Sequence, residues 1–352
     1  MKKSIFGKFG VALLAFAIIL GGCGSGNSGG TKGEPSNNGG DTKAKLQVGY
    51  YVNGNLGDSG FFDSANEGLK KAEQELGIEF KAVQGGANQS DWPIGLESMV
   101  SSKKYEVIVV GTSQMKEITI DLAKRYPNQK FIYFDETITD EPNIYSVKYD
   151  QKEGSFLAGA FAAIVTNSKE LDKANPEKTI GFLGGMDIPI INDFKSGYEQ
   201  GAAYVDPEVK VISSFVGDFT NAPKGKELSM AQFNSQKVDI LYTVAGPSGI
   251  GGLEAAKEVN KYAIGVNSNQ NNVQPGHVLT SMLKNVGSSI YRAIDLYQKE
   301  TLPFGTNESL GFNEDGVGLA KDDLYNQHVP QAIRDQVEEI QAKLVSGEIK
   351  VN

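Results

Sequence analysis

The chain has 352 residues, a formal net charge of −9, one cysteine and two histidines. A single cysteine excludes a disulfide framework. The acidic balance argues against nucleic acid and against electrostatic adhesion to anionic lipid, and fits a well-solvated surface.

The chain starts basic, with Lys2, Lys3 and Lys8, and continues into an apolar run at 11–20. That run has the length of a signal-peptide core and is too short to span a bilayer as a mature helix. Leu20, Gly21, Gly22 and Cys23 follow. A large apolar residue, two small ones and a cysteine resemble a lipobox, where a bacterial lipoprotein is cleaved and its new N-terminal cysteine lipidated. The resemblance implies a signal peptide at 1–22 and a lipidated Cys23. The mature chain would then be held on the extracytoplasmic face of the cell membrane by acyl chains. The three lysines lost with the signal peptide take the net charge from −9 to −12. Residues 23–45 are mostly Gly, Ser, Asn, Thr and charge, which cannot bury a core; they read as a flexible linker. About 300 residues remain, enough for two domains of ordinary size.

From Leu46 onward short apolar runs alternate with amphipathic ones. The run 46–52 (LQVGYYV) reads as a strand, and 61–76 as a helix with Phe61, Ala65, Leu69, Ala72 and Leu76 on one face. Further strands are predicted at 80–83, 107–111, 130–135, 144–147, 179–183, 210–216, 239–244, 262–266 and 278–282. Helical stretches of roughly 10–16 residues lie between most of them. This alternation implies parallel sheets covered by helices on both faces. The apolar segment 153–165 is too short to cross a bilayer and reads as a buried helix. The segment 331–345 reads as an amphipathic helix packing through Ile333, Val337, Ile340 and Leu344.

Many predicted strands run into loops of Gly, Ser, Asn and Asp, at 52–55, 111–114, 184–187, 216–221, 245–249 and 266–270. In open parallel sheets the ligand crevice lies beyond the carboxyl ends of the strands. Two such sheets facing each other would pool these loops in one cleft closed by a hinge.

Catalytic chemistry is not visible. His277 and His328 sit in turns, with no cysteine or second histidine at a metal-ligand spacing. There is no nucleophile-elbow motif and no phosphate loop. The glycine-rich 246–252 (GPSGIGG) lacks the lysine and hydroxyl of a phosphate loop and reads as a tight strand-to-helix turn. The expectation is a binding protein without cofactor or metal.

Several blocks then read together: 181–189 (GFLGGMDIP), 204–211 (YVDPEVKV), 222–228 (APKGKEL), 262–266 (YAIGV), 57–68 (GDSGFFDSANEG), 142–147 (PNIYSV), 153–159 (EGSFLAG) and 278–284 (VLTSMLK). From about 46 to 351 the chain resembles the basic membrane protein family of bacterial lipoproteins, the nucleoside-binding subunits of ABC transporters. The resemblance implies an α/β, type I periplasmic-binding fold, with two doubly wound lobes joined by three hinge strands. We expect one lobe from 46–150 plus 267–298 and the other from 151–266 plus 299–352. It also implies a purine nucleoside in the cleft, a permease and an ATPase as partners, and a monomeric binding subunit.

In the family two phenylalanines from opposite lobes sandwich the base; Phe61 and Phe219 match them. The ribose is held by a glycine loop, an acidic residue and a lysine, matched by Gly246, Asn267 and Lys284. The family's aspartate after the first strand, which helps read the base, is matched by Asn53; Asp58 and Thr112, in neighbouring loops, complete the candidate ligand-binding set. Asparagine thus replaces the family's acid at Asn53 and at Asn267. Asparagine donates and accepts hydrogen bonds but cannot neutralise Lys284. A buried, unpaired ammonium is costly, so Lys284 must meet another acid, stay wet, or meet negative charge on the ligand. The last case points to an alternative ligand, a modified or anionic nucleoside relative or a flavin-like ring with a polyol tail. Two other readings remain: a sensor that presents its closed form to a signalling partner, and an extracellular enzyme acting on nucleosides.

Overall fold

The computed structural model describes residues 44–352. The expected signal peptide, Cys23 and all but the last two residues of the expected linker lie outside the described residues. Twelve strands and ten α-helices alternate along the described chain. The first half runs β1 (Gln47–Val52), α1 (Phe61–Leu76), β2 (Glu79–Gln84), α2 (Trp92–Ser101), β3 (Val107–Gly111), α3 (Lys116–Arg125), β4 (Lys130–Phe134), β5 (Ile144–Tyr149) and α4 (Gln151–Asn167). Then come β6 (Thr179–Gly184), α5 (Pro189–Val205), β7 (Lys210–Phe215), α6 (Ala222–Gln236), β8 (Ile240–Val244), α7 (Pro247–Glu258), β9 (Tyr262–Asn267) and β10 (Val278–Lys284). The chain closes with α8 (Val286–Gln298), β11 (Asn307–Leu310), β12 (Val317–Leu319), α9 (Asp323–His328) and α10 (Gln331–Val345).

The strands form two six-stranded sheets, ordered β11-β5-β4-β3-β1-β2 and β12-β10-β9-β8-β6-β7. Every pair in the first is parallel. In the second only β12 runs antiparallel, against β10. Central strands such as β3 and β8 are buried along their whole length, as expected of strands covered on both faces.

The chain passes between the sheets three times, at β5 to α4, β10 to α8 and β11 to β12. The crossings lie side by side. Asp150 N donates to Leu310 O and Asn285 N to Gly316 O, each at 2.9 Å.

These crossings correct the expected lobe boundaries. Residues 267–298 do not stay with the first lobe, because β10 pairs in parallel with β9 in the second sheet. Of that stretch, α8 packs on the first lobe, against α1, and the loop after β9 touches it through Ser268 and Gln270. Conversely β11, placed by expectation in the second lobe, extends the first sheet beside β5. Apolar patterning shows that a segment is a buried strand, not which of two similar sheets it joins.

Two helices account for the second lobe's core. From Gly154 to Thr166, α4 is buried throughout, as its composition predicts. It lies against α5 so closely that a Cβ at Gly159 would stand 2.0 Å from Tyr198 O, and one at Gly201 would stand 1.8 Å from Phe156 O. On its other side α4 meets α10, which buries Ile333, Val337, Ile340 and Leu344. No helix among the described residues is long and apolar enough to cross a membrane.

Helix propensity alone favours alanine over glycine by about 1 kcal/mol. At Gly201 the sign should reverse. Gly201→Ala is expected to lower stability by about 1–3 kcal/mol through overpacking, read as a lower urea midpoint with an unchanged slope.

Candidate functional site

The carboxyl ends of both sheets converge on one cleft of about 480 Å³. Asn53 follows β1, Thr112 follows β3, Asp135 follows β4 and Gly246 lies two residues past β8, while Asn267 and Lys284 end β9 and β10. Four of these residues leave their strand with positive φ: Thr112 at 77°, Asp135 at 76°, Asn267 at 67° and Gly246 at 54°. For a β-branched threonine such a φ is a true outlier. Its backbone is clamped on both sides, since Thr112 N donates to Phe134 O at 3.1 Å and the Tyr133 hydroxyl donates to Thr112 O. Strain held by such clamps is characteristic of ligand sites.

All eight residues singled out from the sequence line this cleft: Asn53, Asp58, Phe61, Thr112, Phe219, Gly246, Asn267 and Lys284. Their surroundings differ.

Lys284 meets another acid. Its Nζ lies 2.6 Å from Asp135 Oδ1, and the two side chains are 2% and 10% exposed. The pair spans the lobe boundary, because Asp135 follows β4 of the first sheet and Lys284 ends β10 of the second. The ammonium also stands 4.7 Å from the centre of the Phe194 ring, 5.6 Å from Tyr149 and 5.7 Å from Phe61. Burial pushes the Asp135 carboxyl above the usual carboxylate range, and the Lys284 ammonium draws it part of the way back.

Asn53 is buried and donates from Nδ2 to Thr112 Oγ1 at 2.8 Å. Its Oδ1 is buried and has no partner, and neither has Oδ1 of Asn267. Unsatisfied buried acceptors are uncommon, and two on the walls of one cleft call for a donor that the protein does not supply.

Asp58 is spoken for. Its Oδ1 accepts from Gly60 N and Asp63 N, and its Oδ2 from Phe62 N, at 2.9–3.1 Å. Burial raises the carboxyl and these three backbone donors lower it, with a net upward shift. Asp58 therefore fixes the start of α1, and with it Phe61. The Phe61 ring packs at 5.3 Å from Phe134 and 5.4 Å from Phe62.

Phe219 lies on the opposite lobe, in the loop before α6. Its ring covers Gly185, where a Cβ would stand 2.3 Å from it. Ser248 pins the loop. The Ser248 N–H donates to Phe219 O, its hydroxyl donates to Asp218 O, and that hydroxyl accepts from Asn221 N. Gly246 turns the chain into α7 with a backbone that L side chains rarely adopt. The glycine-rich run is thus a tight turn, and Gly251 lets α7 approach α6, with Ala222 O at 2.1 Å from where its Cβ would be.

The loop after β9 also links the lobes. Ser268 Oγ donates to Gly60 O at 3.0 Å, and Gln270 Nε2 donates to Ser59 O at 3.2 Å. Sequence reasoning passed over Asp135, Trp92, Phe194 and Gln270. Asp135 had a legible signal, an acid closing the apolar run 131–134. Phe194 had none, since it follows the core spacing of its helix; Ile191, Phe194, Tyr198 and Ala202 are all buried.

Two parallel α/β lobes, three side-by-side crossings and a cleft at the strand ends define a solute-binding protein of the type I periplasmic-binding fold. A solved solute-binding protein of an ABC transporter system from Aeropyrum pernix superposes with a TM-score of 0.77 at 27% identity, covering 87% of this chain and 92% of that one. Residues 45–352 match the family described as ABC transporter substrate-binding protein PnrA-like, and the chain belongs to it. Among relatives, Basic membrane protein A2 of Borrelia garinii is 28% identical over 87% of this chain and 88% of its own. The "ABC transporter nucleoside-binding protein BmpA" of Lactococcus lactis is 28% identical over 100% of this chain and 99% of its own. The family is one of substrate-binding proteins, which sets aside the extracellular-enzyme reading.

Removing one partner of a buried pair leaves an uncompensated charge. Lys284→Met is expected to cost about 3–5 kcal/mol at neutral pH, and Asp135→Asn added to it should restore most of the loss. Without the ammonium the Asp135 carboxyl rises further. An acid raised in the folded state binds more protons there than when unfolded, so stability falls as pH climbs through the unfolded value of about 3.9. The deficit of Lys284→Met against the parent should therefore be small in acid and widen toward neutrality in urea titrations across pH.

Proposed function

We propose that the protein captures a purine nucleoside in this cleft, as a monomer held on the extracytoplasmic face of the cell membrane through a lipidated Cys23, for import by an ABC permease and ATPase. The observation that carries the ligand assignment is the pairing of Phe61 and Phe219, from opposite lobes, with two buried amide oxygens, Asn53 Oδ1 and Asn267 Oδ1, that lack a donor. Flat rings on both sides suit a base, and unpaired acceptors suit the amino, imino and hydroxyl groups of a nucleoside. The printed description of the Lactococcus relative supports the same class of ligand. A neutral nucleoside is favoured over an anionic relative because Lys284 already has its counter-charge in Asp135. The ligand joins the lobes, so binding favours the closed arrangement, which a permease distinguishes by its contacts.

A thermal-shift titration on the mature chain, without lipid and refolded to strip carried-over ligand, tests this reading. A nucleoside at 100 times its dissociation constant should add about 2.7 kcal/mol of stability. Phe61→Ala and Phe219→Ala should each weaken binding by about 1–3 kcal/mol, the usual contribution of one base–aromatic stack. A shift with nucleotides or riboflavin and none with adenosine, guanosine or inosine would replace the assignment. Cys23→Ser should move the protein from the membrane fraction to the soluble extracytoplasmic fraction; unchanged membrane retention would argue against the anchor.

A further inference from the structure

We infer that Gln270 is a positioning residue for ligand capture: its one side-chain amide holds the Asn267 turn of the second lobe and the Phe61 turn of the first in fixed register, and Ser268 completes the bridge. The inference rests on the nucleoside reading above and adds to it two residues outside the cleft wall.

The loop after β9 is a forced turn. Ser268 N donates to Val266 O at 2.8 Å, which closes a three-residue turn with Asn267 at its centre and a φ of 67°. A three-residue turn with positive φ at its centre is rare and strained, so its surroundings must enforce it. Gln270 does so. The residue is buried; its Oε1 accepts from Val266 N at 2.9 Å, and its backbone N–H donates to Ser281 Oγ at 3.0 Å. The side chain can lie against β9 because Gly265 is bare there: a Cβ would stand 2.7 Å from Gln270 Oε1.

The other end of the same amide crosses to the first lobe. Gln270 Nε2 donates to Ser59 O at 3.2 Å, and Ser268 Oγ donates to Gly60 O at 3.0 Å. Ser59 and Gly60 immediately precede Phe61, the first residue of α1, and Gly60 has no side chain with which to cap that helix. Asp58 ties this turn from within its own lobe. Gln270 and Ser268 tie it from across the boundary. The orientation of the Gln270 amide follows from its partners. A backbone N–H requires the oxygen and a carbonyl requires the nitrogen, so turning the amide over would break both bonds. The Phe61 ring and Asn267 are thereby placed as one unit although they belong to different lobes. Phe61 and Asn267 line the cleft, and Ser268 and Gln270 do not, so the bridge acts on a ligand through the residues it holds.

Isothermal titration of the refolded mature chain with adenosine, guanosine and inosine tests this. Ser268→Ala removes the bond to Gly60 O. Gln270→Glu keeps the size and the acceptor for Val266 N but sets a carboxylate against Ser59 O. Ser268→Ala should weaken whichever nucleoside binds the parent protein by about two- to ten-fold, the usual worth of one hydrogen bond, and Gln270→Glu should weaken it by more. The deciding readout is coupling to the ring. In a Phe61→Ala background both losses should shrink to less than about two-fold, because the ring that the bridge positions is gone. Losses of the same size with and without the ring would overturn the inference, since a merely structural role predicts them. Parent-like affinity in either variant would also overturn it and would leave the nucleoside reading intact. Should Gln270→Glu fail to fold, Ser268→Ala, at a half-buried site, decides the matter alone. Failure of all three nucleosides to bind the parent protein would overturn the nucleoside reading and this inference with it.

Discussion

The ion pair between Lys284 and Asp135 sets the character of the whole site. Two charges taken out of water cost several kcal/mol each, and their attraction offsets this only when geometry is good and remaining polar groups are served. Here the ammonium is held at 2.6 Å from the carboxylate, with the faces of Phe61, Tyr149 and Phe194 around it. Those rings attract a cation through their quadrupoles and exclude water from it. The pair needs both lobes, because the acid comes from one sheet and the lysine from the other. Lys284 is also the last residue of β10, just before a crossing between the sheets.

Asp135 thus cancels the Lys284 charge inside the protein. Asn53, Thr112 and Asn267 supply amides and a hydroxyl, Phe61 and Phe219 supply rings, and Asp58 has its oxygens occupied by backbone N–H groups. The lysine does not depend on Asn53 or Asn267 for its counter-charge, because Asp135 provides it.

Much of this was legible in the chain. The strand–helix alternation gave the architecture because each strand's apolar run is bounded by turn residues. β3 falls at Val107–Gly111, the predicted 107–111. The short β11 (NESL) and β12 (VGL) were not legible, having neither length nor alternation; their strand state comes from pairing with β5 and β10. Lobe membership after 267 was not legible either, since β10 carries the same apolar signature as any central strand. In the site, the residues matched through family blocks fell on the cleft because those blocks sit at strand ends. The partner of Lys284 was missed because an ion pair between residues 149 apart leaves no periodic trace in sequence.

The four positive-φ residues at strand ends place polar groups and bare backbone in a cleft whose lining is otherwise largely apolar. Thr112, Asp135, Asn267 and Gly246 each turn the chain at or just past the carboxyl end of a strand. The turn delivers a side chain, or bare backbone at Gly246, to the cleft. Such conformations cost of order 1–3 kcal/mol each for residues with a Cβ and persist only where the surroundings enforce them. Thr112 is enforced by bonds from its own N–H and to its carbonyl, and Asp135 by its N–H donating to Val147 O at 2.8 Å. The sheets thus hold the cleft's hydrogen-bonding groups in place before a ligand arrives. Affinity then depends less on ordering side chains at the moment of binding, and more on how well the ligand's donors meet acceptors already fixed in position.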